Sequence, residues 1–571
     1  MSHQTSPDPN QTGMPKGVPY IIGNELAERF SFYGMKGILT VFMTKHLLDS
    51  AGNDAGLGDE QAKTIYHLFT AGAYFFPLMG ALLSDIFFGK YKTILWISLM
   101  YCVGHGSLAL MDLGPVTGMW DMAPFLYLGL FLIAIGSGGI KPCVSAHVGD
   151  QFGKGNKHLL TQIFNWFYFA INVGAMASTI LTPILLETVG PWAAFGLPGI
   201  LMAIATFLFW LGRHSFVHVP PGGMAFVREV FGEDGKRALL NLAPLFLVFV
   251  PVFWSIFDQT GSAWVLQAES MNRQFLGITW LESQVQAVNP FFILVLIPVF
   301  TYVVYPAISR IFPLTPLRKI GIGFLLTAVT FSLSATIETW IINGERPVMS
   351  ELWEELGIAE MTQPESSAEV VNLAKALGVK EDQLAPAIDA MTSGGAEEEA
   401  AINQLWANVD VANAEMPANL SKLVKLAKTM GWEQGQLTPY LSAMPSIGWQ
   451  FLAYIILTSA EILVSIVCLE FAYTQSPPKM KSLVMGVYLL GVSIGNFYVS
   501  GVNFALDLLK REDGTTLLEG ANYYWFFVAL MMIAFSGYLV WTRTYKGRVY
   551  IQGEESDDSS SPVDVAVPDA Q

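Results

Sequence analysis

Charge is scarce in this chain: 14% of its 571 residues are Asp, Glu, Lys or Arg, and only three are cysteine. With 52% hydrophobic residues and a mean hydropathy of +0.44, that scarcity excludes a string of ordinary soluble domains, in which about a quarter of residues are charged. Cys102, Cys143 and Cys468 all fall in apolar stretches, which argues against a disulfide framework and leaves the redox compartment open. His214 and His218 stand four apart without an evident third ligand, so no metal site is expected. No nucleophile and base pair and no phosphate-cradling loop stands out, so neither an enzyme nor a cofactor is expected. The formal charge of −16 belongs to two segments. Residues 343–446 hold 16 acidic and 6 basic residues, and residues 553–571 hold 6 acidic and no basic ones. The rest is neutral, which gives nucleic acid no footing.

What the chain has in quantity is apolar length. About twelve stretches of roughly 20 residues or more could each cross a hydrocarbon core about 30 Å thick. They run over 18–46, 63–88, 92–112, 123–148, 161–186, 192–212, 243–267, 285–305, 317–342, 447–474, 479–507 and 522–543. Residues 1–17 are polar, and the first apolar stretch is too long and too charged for the core of a cleavable signal. Lys and Arg collect in the loops of one face, from Lys90, Lys92, Lys154 and Lys157 through Arg213, Arg228, Lys236 and Arg237 to Lys479, Lys546 and Arg548. The opposite loops carry Asp54, Asp59, Asp112, Asp121 and Glu187 instead. Positive loops stay in the cytoplasm, so a multi-pass cell-membrane protein with both termini cytoplasmic is predicted.

Six spans precede a basic linker and six follow it, which suits two bundles around a central cavity. The predicted division is a short cytoplasmic segment (1–17), a first bundle (18–212), the linker (213–242), a second bundle in two parts (243–342 and 447–543), an outer insert (343–446) and an acidic cytoplasmic tail (544–571) that reads as disordered from Gly553. The insert contains an approximate repeat: Val371-Asn-Leu-Ala-Lys-Ala-Leu-Gly378 recurs as Val424-Lys-Leu-Ala-Lys-Thr-Met-Gly431. Leu and Ala at helical spacing predict small helix pairs. Such an insert is either an ornament without a role in the work of the membrane body or a surface that recruits an extracellular partner or substrate.

Ionisable residues inside membrane spans are costly and normally face a bundle interior or a wet cavity. The first span holds Glu25, Glu28, Arg29, Tyr33 and Lys36, most of them on one helical stripe. Lys141, Asp258 and Glu461 lie deep in the fourth, seventh and tenth spans. Glu25, Glu28, Asp258 and Glu461 face Arg29, Lys36 and Lys141, four acids against three bases. If all the bases pair with acids, the spare negative charge is a natural place for a proton; a static ion-pair network is the other reading. His67 also lies in a span, and an imidazole titrates unperturbed near about 6.5. It suits an external proton sensor, or equally a structural bond across helices.

Glu25-Leu-Ala-Glu28-Arg29-Phe30-Ser31-Phe32-Tyr33-Gly34 resembles the ExxERFxYYG motif of the proton-dependent oligopeptide transporter family. Gly80 to Gly104, with Asp85 and Lys90 in a loop like that of the major facilitator superfamily, and Phe164 to Gly174 resemble the family's two signature segments. Ile65-Tyr66-His67-Leu68-Phe69, Gly138-Gly139-Ile140-Lys141-Pro142 and Leu469 to Pro477 are similar to animal members, and the linker lacks the two extra helices of many bacterial ones. The resemblance spans nearly all the helices and excludes the insert and tail. It implies an all-α membrane protein with the major facilitator fold, twelve transmembrane helices in two six-helix bundles. It also implies a proton-coupled symporter that imports di- and tripeptides by alternating access.

Carried over by motif position, Glu25, Glu28, Arg29 and Lys141 couple protonation to binding, with His67 matching a histidine of the animal proteins. Arg29, Lys36 and Lys141 attract the peptide carboxylate, and Glu461 with Asn172 and Asn289 receives its amino end. Tyr33, Tyr168, Trp254 and Ser465 line the cavity. Lys36 with Asp258 forms an outer gate, and Asp85 with Lys90 acts at the facilitator loop. Phe32 replaces a frequent Tyr, Lys36 a frequent Arg, and Tyr488 stands where many members have Trp; a Lys cannot give the bidentate fork of an Arg. A transporter of nitrate or another small solute, and a membrane sensor or scaffold without net transport, are the alternatives.

Overall fold

The structure, a computed structural model, describes residues 4–8, 10–221, 223, 233–475, 481–511 and 515–545, apart from 365, 378, 380, 394, 410, 412, 413, 415 and 418. The acidic tail from Gly553 lies outside the described residues, as do Arg228, Lys479, Lys546 and Arg548 of the basic face and Gly378 of the repeat. Among the described residues, eleven helices are long and apolar enough to cross a membrane: α2 (Asp59–Phe88), α3 (Lys90–Leu110), α4 (Met122–Asp150), α5 (Gln162–Thr188), α6 (Pro191–His214), α7 (Leu239–Glu269), α8 (Gln284–Ser309), α9 (Pro316–Leu356), α15 (Gly448–Ala472), α16 (Val484–Leu508) and α17 (Ala521–Thr544). The twelfth, α1 (Val18–Val41), has the length but carries four charged side chains, Glu25, Glu28, Arg29 and Lys36, all buried. Burial of all four charged side chains is what lets so charged a helix sit in a membrane protein. Helices suit this solvent because each satisfies its backbone polar groups internally.

The chain divides into two compact units. The first comprises Met1–Val265, Ser283–Ser334 and Phe451–Gln571, and so holds the helical body. Within it α3 packs on α4, α1 on α5 and α6, and α2 on α4. In the second half α7 packs on α16 and α17, while α2 with α16 and α5 with α8 join the two halves. Small residues make these approaches close. Gly80 of α2 meets the Gly139 backbone of α4 with no room for a Cβ, and a Cβ on Gly174 of α5 would come within 2.7 Å of the Leu26 carbonyl of α1. Hydroxyls bond across helices or back onto their own, as Ser31 Oγ does to the Pro198 carbonyl of α6 at 2.6 Å. Among the described residues, five π-helical turns interrupt the regular winding, at Phe42–His46, Ser84–Phe88, Leu245–Phe249, Phe300–Val304 and Ile462–Ile466. Such turns frequently accompany functional positions in helices.

The second unit is Leu266–Glu282 with Ala335–Gln450. It begins eight residues before the insert expected from hydropathy, because α9 continues as one helix to Leu356. Val348, Met349, Leu352 and Leu356 are buried along that extension at helical spacing, which prolongs the helix past the apolar stretch. Beyond it come α10 (Ser367–Ala376), α11 (Glu381–Ser393), α12 (Ala396–Asn408), α13 (Leu420–Thr429) and α14 (Gln434–Ser442). The α10–α11 and α13–α14 pairs start 53 residues apart, in step with the sequence repeat. Val370, Val371, Ala374, Leu384, Ala387, Ile402, Leu405 and Val409 form a separate small core from α10, α11 and α12. A hairpin pairs β1 (Gln274–Phe275) with β2 (Ile278–Thr279) around Leu276 and Gly277, both at positive φ.

Candidate functional site

Three polar clusters occupy the helical body. In the first, Arg29 Nε donates to Glu25 Oε1 at 2.6 Å and lies 3.0 Å from Glu28 Oε2. Ser137 Oγ of α4 donates to the other Glu28 oxygen at 2.6 Å. Arg29 is 8% exposed and both acids are buried, so one guanidinium serves two carboxylates out of contact with bulk water. With both acids ionised the trio is one charge negative, and one proton neutralises it while leaving the other carboxylate paired with Arg29.

Lys141 was expected to pair with these acids, and it does not. Its Nζ lies 3.9 Å from the Phe32 ring centre and 4.3 Å from that of Tyr74, with no hydrogen-bond acceptor among the described residues. Arg29 already holds the carboxylates, and the two aromatic faces take the ammonium instead. Pro142, the next residue in α4, has no amide proton to donate, so one backbone hydrogen bond is missing beside Lys141 while the helix runs on unbroken.

The second cluster ties the two halves together. Lys36 Nζ donates to Asp258 Oδ1 at 2.7 Å, and the other Asp258 oxygen accepts from Asn496 Nδ2 at 2.8 Å. His67, fully buried, places one ring nitrogen 2.8 Å from Asn496 Oδ1 and the other 2.8 Å from Ser262 Oγ. It bonds across three helices, α2, α7 and α16. Around this network Thr40 Oγ1 donates to the Gly261 carbonyl at 2.7 Å and Gln286 Nε2 to the Gly37 carbonyl at 2.8 Å. Gln284 Nε2 donates to the Ile180 carbonyl at 3.1 Å. All these bonds lie toward one end of the helical body, where α1 and α7 finish and α2 and α8 begin.

That arrangement makes Asp258→Asn a sharp test. A buried ion pair stripped of one partner leaves an uncompensated charge, typically about 3–5 kcal/mol. The variant is expected to lower the detergent-solubilised melting temperature by several degrees, and Lys36→Gln/Asp258→Asn should recover most of the loss. Equal melting temperatures for wild type and Asp258→Asn would show that the pair carries no such energy.

The third cluster lies in the second half. Glu461 Oε2 accepts from Asn289 Nδ2 at 2.8 Å, and the same amide lies 3.1 Å from Thr458 Oγ1. Ser465 Oγ lies 3.1 Å from Tyr488 Oη. Trp254 packs edge-on against Phe253 and Phe257. Asn172, expected beside Glu461, instead donates back to the Tyr168 carbonyl of its own helix at 2.9 Å. Tyr33 stands within electrostatic reach of Arg29, Lys36 and Glu461, and Tyr168 within reach of Glu461. Tyr33, Tyr74, Lys141, Asn289, Glu461 and Ser465 are half-buried, keeping open surface in mid-helix. At the loop after α2, Lys90 donates to Asp150 of α4 at 2.6 Å rather than to Asp85, five residues before it in the sequence, which sits in the π turn Ser84–Phe88.

Sequence reasoning missed Ser137, Tyr74, Asn496 and Asp150. An Asn in an apolar span and an Asp at a span's end were legible as polar outliers. A Tyr and a Ser in such spans carry no comparable signal.

The family model PTR2, described as the POT family, matches residues 91–233, 228–358 and 423–517. The chain is 31% identical to peptide transporter family 1 of Drosophila melanogaster, over 96% of this chain and 90% of that protein. It is 28% identical to solute carrier family 15 member 2 of Rattus norvegicus, over 85% of each. Among solved structures, the POT family transporter PepTSo is similar with a TM-score of 0.66 and 30% identity, over 93% of this chain and 99% of that one. Relatives matched over almost the whole length and a body of twelve helices lead to one conclusion: the chain belongs to the POT family of proton-dependent oligopeptide transporters and has their major facilitator fold.

Proposed function

We infer that the protein is a proton-coupled symporter that imports di- and tripeptides by alternating access. The observation that carries this reading is the Glu25–Arg29–Glu28 trio, a buried group with one surplus carboxylate that can hold a proton in a chain of this family. Across the body, Glu461 offers an anion to a peptide's amino end and Asn289 orients it. Arg29, Lys36 and Lys141 attract the peptide carboxylate, with Asn172, Tyr33, Tyr168, Trp254 and Ser465 on the cavity wall. Lys36 and Asp258, extended through Asn496 and His67, tie the outer side shut, and Lys90 with Asp150 and Asp85 acts on the inner side. Proton and peptide enter from outside and neutralise the surplus charge, after which the halves rock and release both inside. An inward-negative potential adds about 2.3 kcal/mol per positive charge per 100 mV.

The protein works in the cell membrane with both termini cytoplasmic, and it has no enzymatic activity of its own. Counterflow of a labelled dipeptide in liposomes tests the reading. Exchange that competes with unlabelled dipeptide and ignores nitrate supports it; exchange driven by nitrate alone, or none at all, favours the small-solute or the sensor alternative.

The insert stands outside this scheme, because the coupling groups all lie in the membrane helices. A Cβ built on Gly344 would lie 3.8 Å from the Met444 sulfur, so the two ends of the insert lie side by side and a short Gly/Ser bridge can replace residues 346–444. The shortened protein is expected to keep gradient-driven dipeptide uptake within about twofold of wild type. A folded, membrane-inserted deletion without uptake would place the insert in the transport cycle.

A further inference from the structure

The transport reading leaves one group without a task that fits its surroundings. The Lys141 ammonium is buried in mid-membrane and has no hydrogen-bond acceptor among the described residues. Its neighbours are two ring faces, Phe32 at 3.9 Å and Tyr74 at 4.3 Å. Phe32 is fully buried and stands four residues after Glu28, one turn along the same side of α1. The lysine thus sits over a ring that stands one helical turn from Glu28, whose carboxylate is bonded to Arg29 and Ser137 instead. A cation between aromatic faces gains most where water is excluded.

We propose that Phe32 and Tyr74 form a cation–π cradle that holds the Lys141 ammonium off the Glu25 and Glu28 carboxylates, making both aromatics positioning residues for proton coupling. The proposal rests on the proton-coupled reading above. With the ammonium in the cradle, the carboxylates have only Arg29 to share, and a proton can join them. When the ammonium leaves, it pairs with them, favours their ionised form and helps expel the proton. The long, unbranched lysine side chain makes that short excursion by turning about its own bonds. The charged groups acting on Lys141 are Glu25, Glu28, Arg29 and Lys36 of α1, while Tyr33, Asp258, Arg29 and Tyr488 act on Tyr74.

The sign of the effect follows. Without the ring faces, Lys141 stays with the acids, their ionised form is favoured, and more acid is needed to load the carrier. Accumulation of a neutral dipeptide, divided by counterflow in the same liposomes, should be measured against external pH for wild type, Phe32→Leu, Tyr74→Leu, the double leucine variant, Phe32→Tyr and Tyr74→Phe. The double leucine variant is expected to move the half-maximal ratio to lower pH by about one unit, and each single one by about half as much. If the double variant is not monodisperse, the single variants carry the test. The aromatic swaps keep a ring face and should follow the wild-type profile. Leucine variants on the wild-type profile would overturn the cradle, as would Tyr74→Phe shifting as far as Tyr74→Leu. Wild-type protein that accumulates nothing under a pH gradient would overturn the transport reading itself, a different failure.

Discussion

Replacing either Glu25 or Glu28 by Gln is expected to abolish gradient-driven accumulation of dipeptide while exchange of peptide across the membrane continues. Both acids share Arg29, at 2.6 and 3.0 Å, so each Gln variant leaves one carboxylate balanced by one guanidinium. That variant is permanently in the neutral condition which the wild type reaches only with a proton bound. The loaded carrier then turns over, which is all that exchange requires. The return of the empty carrier no longer depends on releasing a proton inside, and uphill transport loses its drive. A drop of at least about a hundredfold in the accumulation ratio is expected, because one uncoupled proton forfeits the free energy of the whole gradient. Linkage works in both directions, so wild-type peptide affinity should rise as external pH falls through the range in which the trio takes up its proton. Accumulation at wild-type levels in both Gln variants would remove these acids from coupling.

The trio was legible in the sequence because charge in a span is expensive: Glu25, Glu28, Arg29, Lys36, Lys141, Asp258 and Glu461 were all singled out on that ground. Which of them touch was not legible. Four acids and three bases admit many pairings, and the folded chain chooses by helix position. Arg29 takes two acids, Lys36 takes Asp258, and Lys141 takes none. Of the partners that complete the clusters, Asn496 stood out as a polar residue in an apolar span and was passed over, while Ser137 and Tyr74 cost little in a span and did not announce themselves. Helix existence followed from apolar length, whereas the end of α9 did not. Its extension to Leu356 buries Val348, Met349, Leu352 and Leu356, a stripe at helical spacing too short of apolar residues for hydropathy alone to reveal. Asn172 shows the reverse error: a polar residue on the expected face bonded its own helix rather than Glu461.

Glu461→Gln is expected to cut uptake of peptides with a free amino end by at least about tenfold. The Glu461 carboxylate is held by Asn289 at 2.8 Å and faces no cation within ion-pair distance among the described residues, so an incoming ammonium would be its first charged partner. A hydrogen bond to a charged group contributes about 1.5–3 kcal/mol, and Gln keeps the shape while losing that charge. Peptides with a blocked amine have no ammonium to lose and should fall by less than about twofold. Uptake rates for acetylated and free dipeptides, compared at equal protein level, decide the matter. The same proportional loss for both would show that Glu461 does not receive the amine.

The central claim is that proton entry drives peptide entry. Proteoliposomes holding the wild-type protein should be given a neutral labelled dipeptide with the pH gradient and the membrane voltage imposed separately. Accumulation above equilibrium with an acid exterior, increased further by an inside-negative voltage and lost when both are collapsed, is the expected result. Accumulation indifferent to both forces, or dipeptide that never exceeds its equilibrium level under either, would contradict it.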